Sequence, residues 1–225
     1  MTPEELRSRI FAELEAAGFR PAKSLPLPDL EQTTRPAREV AARLMALHAL
    51  LAWVAIPEQR AATPALNSYM ERNELRSWLT AEELAIVDLP RHDASEKHLN
   101  NIGWRLENMW PLAWVLGFQP APDLGASLIS DEVIQAMMSE FLPGLDADIA
   151  AMLTRSVARS SVEIVEMEYR FYCAHNAVRS AQLGSDTVPA GFHPIVHGGA
   201  VHERRHSLSW CIAPGVDWGD TDLST

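Results

Sequence analysis

Residues Gly103–Phe118 read GWRLENMWPLAWVLGF, and this stretch decides the fold class. Three of the chain's seven tryptophans, Trp104, Trp110 and Trp114, crowd into it on what reads as one buried helix. On a helix, Gly103, Glu107, Trp110, Trp114 and Gly117 share one face by the i, i+4, i+7 rule. Arg105 and Glu107 sit among these aromatics. A carboxylate on an aromatic face must be paired, protonated or turned to a cavity, because an unsatisfied buried charge costs several kcal/mol. Glu107 is therefore expected to be buried and bonded to an arginine, with Arg170 and Arg204 as the candidates. Pro111 is expected to kink or split this helix near Asn108.

Outward from that stretch, nearly every segment has helical period and none sustains a period of two. Pro3–Ala17 reads as a first helix with acids in its opening turn, followed by an extended connector with prolines at 21, 26, 28 and 36. A long helix is predicted over Ala37–Ala55, with Val40, Leu44, Leu47, Leu51 and Val54 on its core face. Ala65–Trp78 follows, then a short helix opened by the capping box Thr80 and Glu83. Ser95 is read as the N-cap of the tryptophan helix, and Gly117–Ile129 as a loop. Further helices are expected from Ser130 to Leu142, over Leu145–Arg155, and from the capping box Ser160 and Glu163 to about Leu183. Gly184–Gly199 reads as irregular, Val201–Ile212 as the last helix and Ala213–Thr225 as a tail. The fold expected is all-α: a single helical-bundle-like domain of about eight or nine helices, with an N-terminal arm and an irregular C-terminal tail. Its divisions are residues 1–34, helix and connector, and residues 35–225, the all-α domain.

Composition narrows the functions. At 225 residues the chain can bury a sizeable core. Its net charge is −11, and its cations are 17 arginines against only Lys23 and Lys97, with no basic stripe to neutralise phosphates. A nucleic-acid partner is thus not expected. Nor is a membrane: the apolar run around Leu44–Ile56 is too short to span one, and the acidic N-terminus is unlike a signal peptide. Cys173 and Cys211 both fall in predicted helices and suit a reducing cytoplasm as free thiols.

One motif has the letters of a catalytic site. His202-Glu203-Arg204-Arg205-His206 matches H-E-x-x-H, in which two histidines one helical turn apart hold zinc and the glutamate deprotonates a metal-bound water. Both middle positions are arginine, which opposes a dication, and no histidine follows His206 as a third ligand. No metal or other cofactor is therefore expected, and a zinc-dependent hydrolase through His202, Glu203 and His206 is retained as an alternative. His48 reads as a hydrogen-bonded core residue rather than a further ligand.

Three blocks of the chain, in order, resemble a known family. They are Trp104-Arg105-Leu106-Glu107 with Trp110 and Leu112-Ala113-Trp114; Arg159-Ser160 with Glu163-Ile164, Tyr169-Arg170 and Ala174; and Glu203-Arg204 with Ser207-Leu208 and Trp210, then Trp218 and a Thr-Asp pair. Together they resemble the bacterial family described as domain of unknown function 4272, over roughly Arg35 to the C-terminus. The resemblance implies no established activity, cofactor or substrate. It centres the third block on Glu-Arg, so His202 departs from the family pattern. Relatives also tend to have Ala-Leu-Asn-Trp where this chain has Ser207-Leu208-Ser209-Trp210.

The theme of the blocks is arginine and glutamate on otherwise apolar helices. Arg105, Glu107, Arg159, Glu163, Arg170, Glu203 and Arg204 are the candidate polar pocket or ion-pair network, with Glu166 and Arg170 in the favourable i, i+4 order. Such a set either locks helix register or forks onto an anionic ligand. The leading functional expectation is a soluble acidic binding or interaction module, with a protein as partner. The alternatives are the zinc hydrolase and a small-anion-ligand enzyme with its pocket near Glu107.

Overall fold

The computed structural model describes every residue except Ala126, and all regular structure among the described residues is helical. The chain forms α1 (Pro3–Ala16), α2 (Ala37–Ala55), α3 (Thr63–Arg72), α4 (Ala81–Val87), α5 (Arg91–Ile102), α6 (Trp104–Val115), α7 (Asp131–Ala136), α8 (Ile149–Arg155), α9 (Ser161–Gln182) and α10 (Val196–Cys211). Short 3-10 turns at Leu75–Trp78 and Trp218–Asp220, and a π turn at Met137–Phe141 that continues α7, complete the set. No described helix is long and apolar enough to cross a membrane. The elements gather into two compact units. One comprises Met1–Arg35, Pro122–Leu128 and Arg159–Thr225; the other comprises Pro36–Ala121 and Ile129–Ala158.

The second unit is built around α2. Every residue from Val40 to Val54 is buried, so this helix has no solvent face for most of its length. Its low polarity permits that, and α3, α4, α5, α6 and α8 pack around it. Two polar residues on α2 then need internal partners. Arg43, fully buried, donates to Glu83 through both terminal nitrogens, at 2.6 and 2.9 Å, and to the Trp78 carbonyl at 2.6 Å. Glu83 at the same time closes the Thr80 capping box at the start of α4. Arg105 approaches the same carboxylate at 3.3 Å. Burial raises the carboxyl pKa, yet the two guanidiniums and the Thr80 amide outweigh it and hold Glu83 below the usual carboxylate range.

The other polar residue, His48, lies against Tyr69, whose hydroxyl is 3.5 Å from Nδ1. At the C-terminal end of α2, the carbonyls of Ala52, Trp53 and Ile56 accept from the Arg91 side chain, which also pairs with Glu58 at 2.7 Å.

Several local expectations are corrected. Ala65–Trp78 is not one helix: the buried Asn73 side chain bonds Tyr69 O, Ala147 O and the Ile149 amide, and Glu74 turns left-handed at φ 52°. Ser95 is inside α5 rather than capping α6, and the break falls at Gly103. Pro111 lies within α6 without splitting it near Asn108. Every residue from Glu107 to Val115 is buried there, so tertiary packing overrides the proline's roughly 3 kcal/mol helix penalty. Trp104 is 36 % exposed, so two of the three tryptophans are core and one is not. Helix α8 starts only at Ile149, capped by Asp148.

In the first unit, α9 and α10 form the main packed pair and α1 lies on α9. Here α10 begins at Val196, five residues before the predicted start. Gly198 is a packing residue: a Cβ there would stand 2.6 Å from Val178 Cγ1 on α9. The first-unit segment Pro21–Arg35 is extended, as its prolines predict, and Arg35 caps the end of α10 by donating to Trp210 O and Ala213 O, both at 2.7 Å.

Two outcomes follow from the buried polar groups of α2. Glu83→Ala should lower unfolding free energy by about 3–5 kcal/mol in urea titrations, because it strands the Arg43 charge. The double variant Arg43→Met, Glu83→Leu should recover most of that loss; a single variant within about 1 kcal/mol of the parent would contradict this account. His48 provides the second test. Burial pushes its pKa down to about 4, against about 6.5 when unfolded. The folded state therefore resists the proton, and the His48 contribution is complete above about pH 6.5 and lost as pH falls toward 4. Between about pH 7 and pH 5, His48→Leu should lose about 2 kcal/mol less stability than the parent.

Candidate functional site

The residues singled out in the sequence divide among several places. In the second unit, Glu107 is buried, as expected, and accepts the Ile129 amide at 2.8 Å. Arg105 turns to Glu83 and Asn108 rather than to Glu107, since residues two apart on a helix do not face each other.

In the first unit, Arg159 and Glu163 pair at 3.6 Å on the rim of α9. Arg170 meets Glu13 at 2.5 Å and Glu166 at 3.9 Å, while Arg9 reaches Glu166 at 2.8 Å, so this group fastens α1 to α9. Arg204 is fully buried and donates to the Asp123 carbonyl and carboxylate and to Ser127 O. Glu203 is half-buried, and its carbonyl accepts the Ser207 hydroxyl at 3.4 Å.

The H-E-x-x-H residues are engaged in other ways. His206 Nε2 is 2.9 Å from the Trp218 carbonyl and its ring stacks on Trp218 at 4.4 Å. His202 packs edge-on against His175 at 5.2 Å. Among the described residues no group of three or more side chains is placed to hold a metal ion.

Two cavities stand out, and Glu107 lines neither. One, of about 380 Å³ in the second unit, is bordered by Arg38, Arg72, Glu74 and Asp148, all solvated surface charges. The other, of about 310 Å³, opens in the first unit between the Pro26–Pro28 segment and α9 and ends on a buried charged pair. This second cleft is the candidate site.

Its floor is Glu168 of α9 and Arg205 of α10, whose Nε is 3.7 Å from Glu168 Oε1. Arg205 is 3 % exposed, lies over the Tyr172 ring at 4.8 Å, and donates to His175 Nδ1, Leu223 O and Ser224 O at 2.7–3.0 Å. Its Nε finds no hydrogen-bond acceptor among the described residues. Glu168 accepts the Ser209 hydroxyl at 2.7 Å through Oε1. One wall is aromatic: Tyr169 and Tyr172 stand 6.0 Å apart, and the Tyr169 hydroxyl donates to Pro26 O.

Burial governs the titration of these groups. It raises Glu168 despite Arg205 and Ser209, and lowers Arg205 despite Glu168. It also drives His175 down to about 3, helped by the Arg205 charge, so His175 is neutral and accepts from Arg205. Cys173 and Cys211 are free and buried, as the sequence predicts, and burial pushes both thiols up to about 12.

The matched family is now plain. Residues 6–221 match the family model described as Domain of unknown function (DUF4272). The chain belongs to that family. No curated protein and no solved structure matches it. The cleft floor lies inside the matched span, while Asp222 and Ser224 on its rim fall just beyond.

Glu168 and Arg205 were absent from the residues the sequence singled out. A signal existed: Val165, Glu168 and Tyr172 share a face of α9, a carboxylate on an apolar and aromatic stripe like Glu107 on α6. Arg205 enters the sequence reading only as a cation opposing zinc in the H-E-x-x-H motif, because nothing local distinguishes a buried arginine from a solvated one.

The thiols give a direct check. Without reductant, native protein should react negligibly with a thiol reagent at neutral pH and release two equivalents on denaturation. Rapid native labelling, or fewer than two thiols, would contradict their burial as free cysteines.

Proposed function

We propose that this protein is a binding module and that its ligand site is the cleft ending on Glu168 and Arg205. The observation that carries this reading is the buried charged pair at the closed end of a roughly 310 Å³ concavity with an aromatic wall. Apolar pockets with a few convergent polar groups are the usual form of small-ligand sites. Around the pair, burial keeps the His175 ring neutral and the Cys173 thiol protonated and pushes Tyr169 and Tyr172 upward, while it raises Glu168 itself. The other arginine–glutamate groups of the first unit serve as the internal frame that keeps the cleft walls in register.

In the same reading, the two free thiols and the net charge of −11 suit a soluble protein of a reducing cytoplasm. The acidic surface suits a basic protein as macromolecular partner, an association separate from the cleft.

Amide NMR spectra recorded with a fragment panel of cations, anions and neutral amphiphiles test the cleft. Perturbations should cluster on Val165–Tyr172, Ser209–Ile212 and the 26–29 segment. No perturbation there by any class at millimolar concentration would overturn the reading.

A further inference from the structure

We infer that the cleft takes a small organic cation, an ammonium or guanidinium group carried on an apolar or aromatic body. This rests on the binding reading above and assigns its ligand class.

The charge lining the cleft favours one sign. Asp29, Glu168 and Asp222 border it, against the single cation Arg205. An anion could draw on Arg205 only through Nε and the second Nη2 hydrogen, since Nη1 is committed to His175 and Leu223 O and Nη2 already bonds Ser224 O, and Nε lies 3.7 Å from the Glu168 carboxylate, which opposes an anion. It would also meet the three carboxylates of the lining. An incoming cation has the opposite prospect. Glu168 is more than nine-tenths buried and lines the cleft; Oε1 takes Ser209, and Oε2 accepts no hydrogen bond among the described residues. The carboxylate keeps 11 % of its side-chain surface open, so this vacant acceptor is reachable. An N–H donor from a cationic ligand would make a charge-assisted hydrogen bond to this oxygen, stronger than a neutral one.

The rest of the cleft suits the body of such a ligand. The half-buried Tyr172 ring, which Arg205 also overlies at 4.8 Å, borders the cleft as an aromatic contact, while Leu27 and Ile212 offer apolar surface. Asp222, exposed on the rim, adds attraction at the entrance.

Three near-isosteric probes separate charge from shape: 2-phenylethylammonium, 2-phenylethanol and 3-phenylpropionate, titrated by calorimetry and by amide NMR at constant ionic strength. The ammonium should bind at least about tenfold more tightly than the alcohol, the scale of one charge-assisted hydrogen bond, and the propionate more weakly than either. Glu168→Gln should cost the ammonium about tenfold or more and leave the alcohol within about twofold. Because Glu168 is buried, Asp222→Asn supplies a variant that cannot disturb the core; it should weaken the ammonium by about two- to threefold and make its affinity less salt-dependent. Preference for the alcohol or the propionate at the cleft resonances would overturn the cation assignment while leaving the binding site standing. So would an ammonium affinity unaltered in both variants. If none of the three probes moves the cleft resonances, the cation assignment falls; if the broader fragment panel is silent there as well, the binding reading falls with it.

Discussion

Arginine forks laid on clusters of backbone carbonyls hold this protein together. A buried helix end leaves carbonyls that water cannot reach, and each must find a donor. Arg91 fills that need for the end of α2, Arg35 for the end of α10, and Arg204 for the carbonyls of Asp123 and Ser127. Arg43 joins the Trp78 carbonyl to the Glu83 carboxylate in the same manner. A planar guanidinium presents five donors in a fixed geometry, which the point charge of a lysine does not. At these buried positions arginine therefore cannot be exchanged for lysine without losing bonds.

The α2 helix shows why this solution is required. With every residue from Val40 to Val54 buried, it serves as the core of its unit, and five other helices find their apolar partner in it. Such a helix has no solvent side on which to place a charge. Arg43 is admissible only because one carboxylate, itself fixed by a capping box, meets it through two bonds. A buried pair of this kind adds little over an apolar pair, but it is intolerant of losing either member, and so it specifies the position of α4 against α2.

The candidate cleft reuses the device with one difference. Arg205 is held by two carbonyls and a neutral imidazole, yet its partner Glu168, which lines the cleft, has one oxygen that accepts no hydrogen bond among the described residues. In the core pair both Glu83 oxygens are engaged. The chain thus contains one buried pair whose carboxylate is fully engaged and one whose carboxylate is engaged through a single oxygen.

Local chemistry written in the sequence determined much of this architecture. Period and capping residues mark α2 from Ala37 to Ala55, α4 behind Thr80 and α9 behind Ser160, because hydrogen bonds within one turn and burial along one face are set by neighbours in the chain. The burial of Glu107 was legible for the same reason. Tertiary structure alone decided the rest. Gly198 became a contact rather than a helix stop because Val178 lies across from it, and Asn73 broke a helix because Ala147 and Ile149 claim its amide. Pro111 stayed inside α6 because its neighbours are buried on all sides. The pairings Arg43–Glu83 and Glu168–Arg205 join residues some forty positions apart, and no local rule selects one glutamate among many for one arginine. Long side chains reach whatever the fold brings near them, so the charged partners, and with them the site, were fixed only when the helices packed.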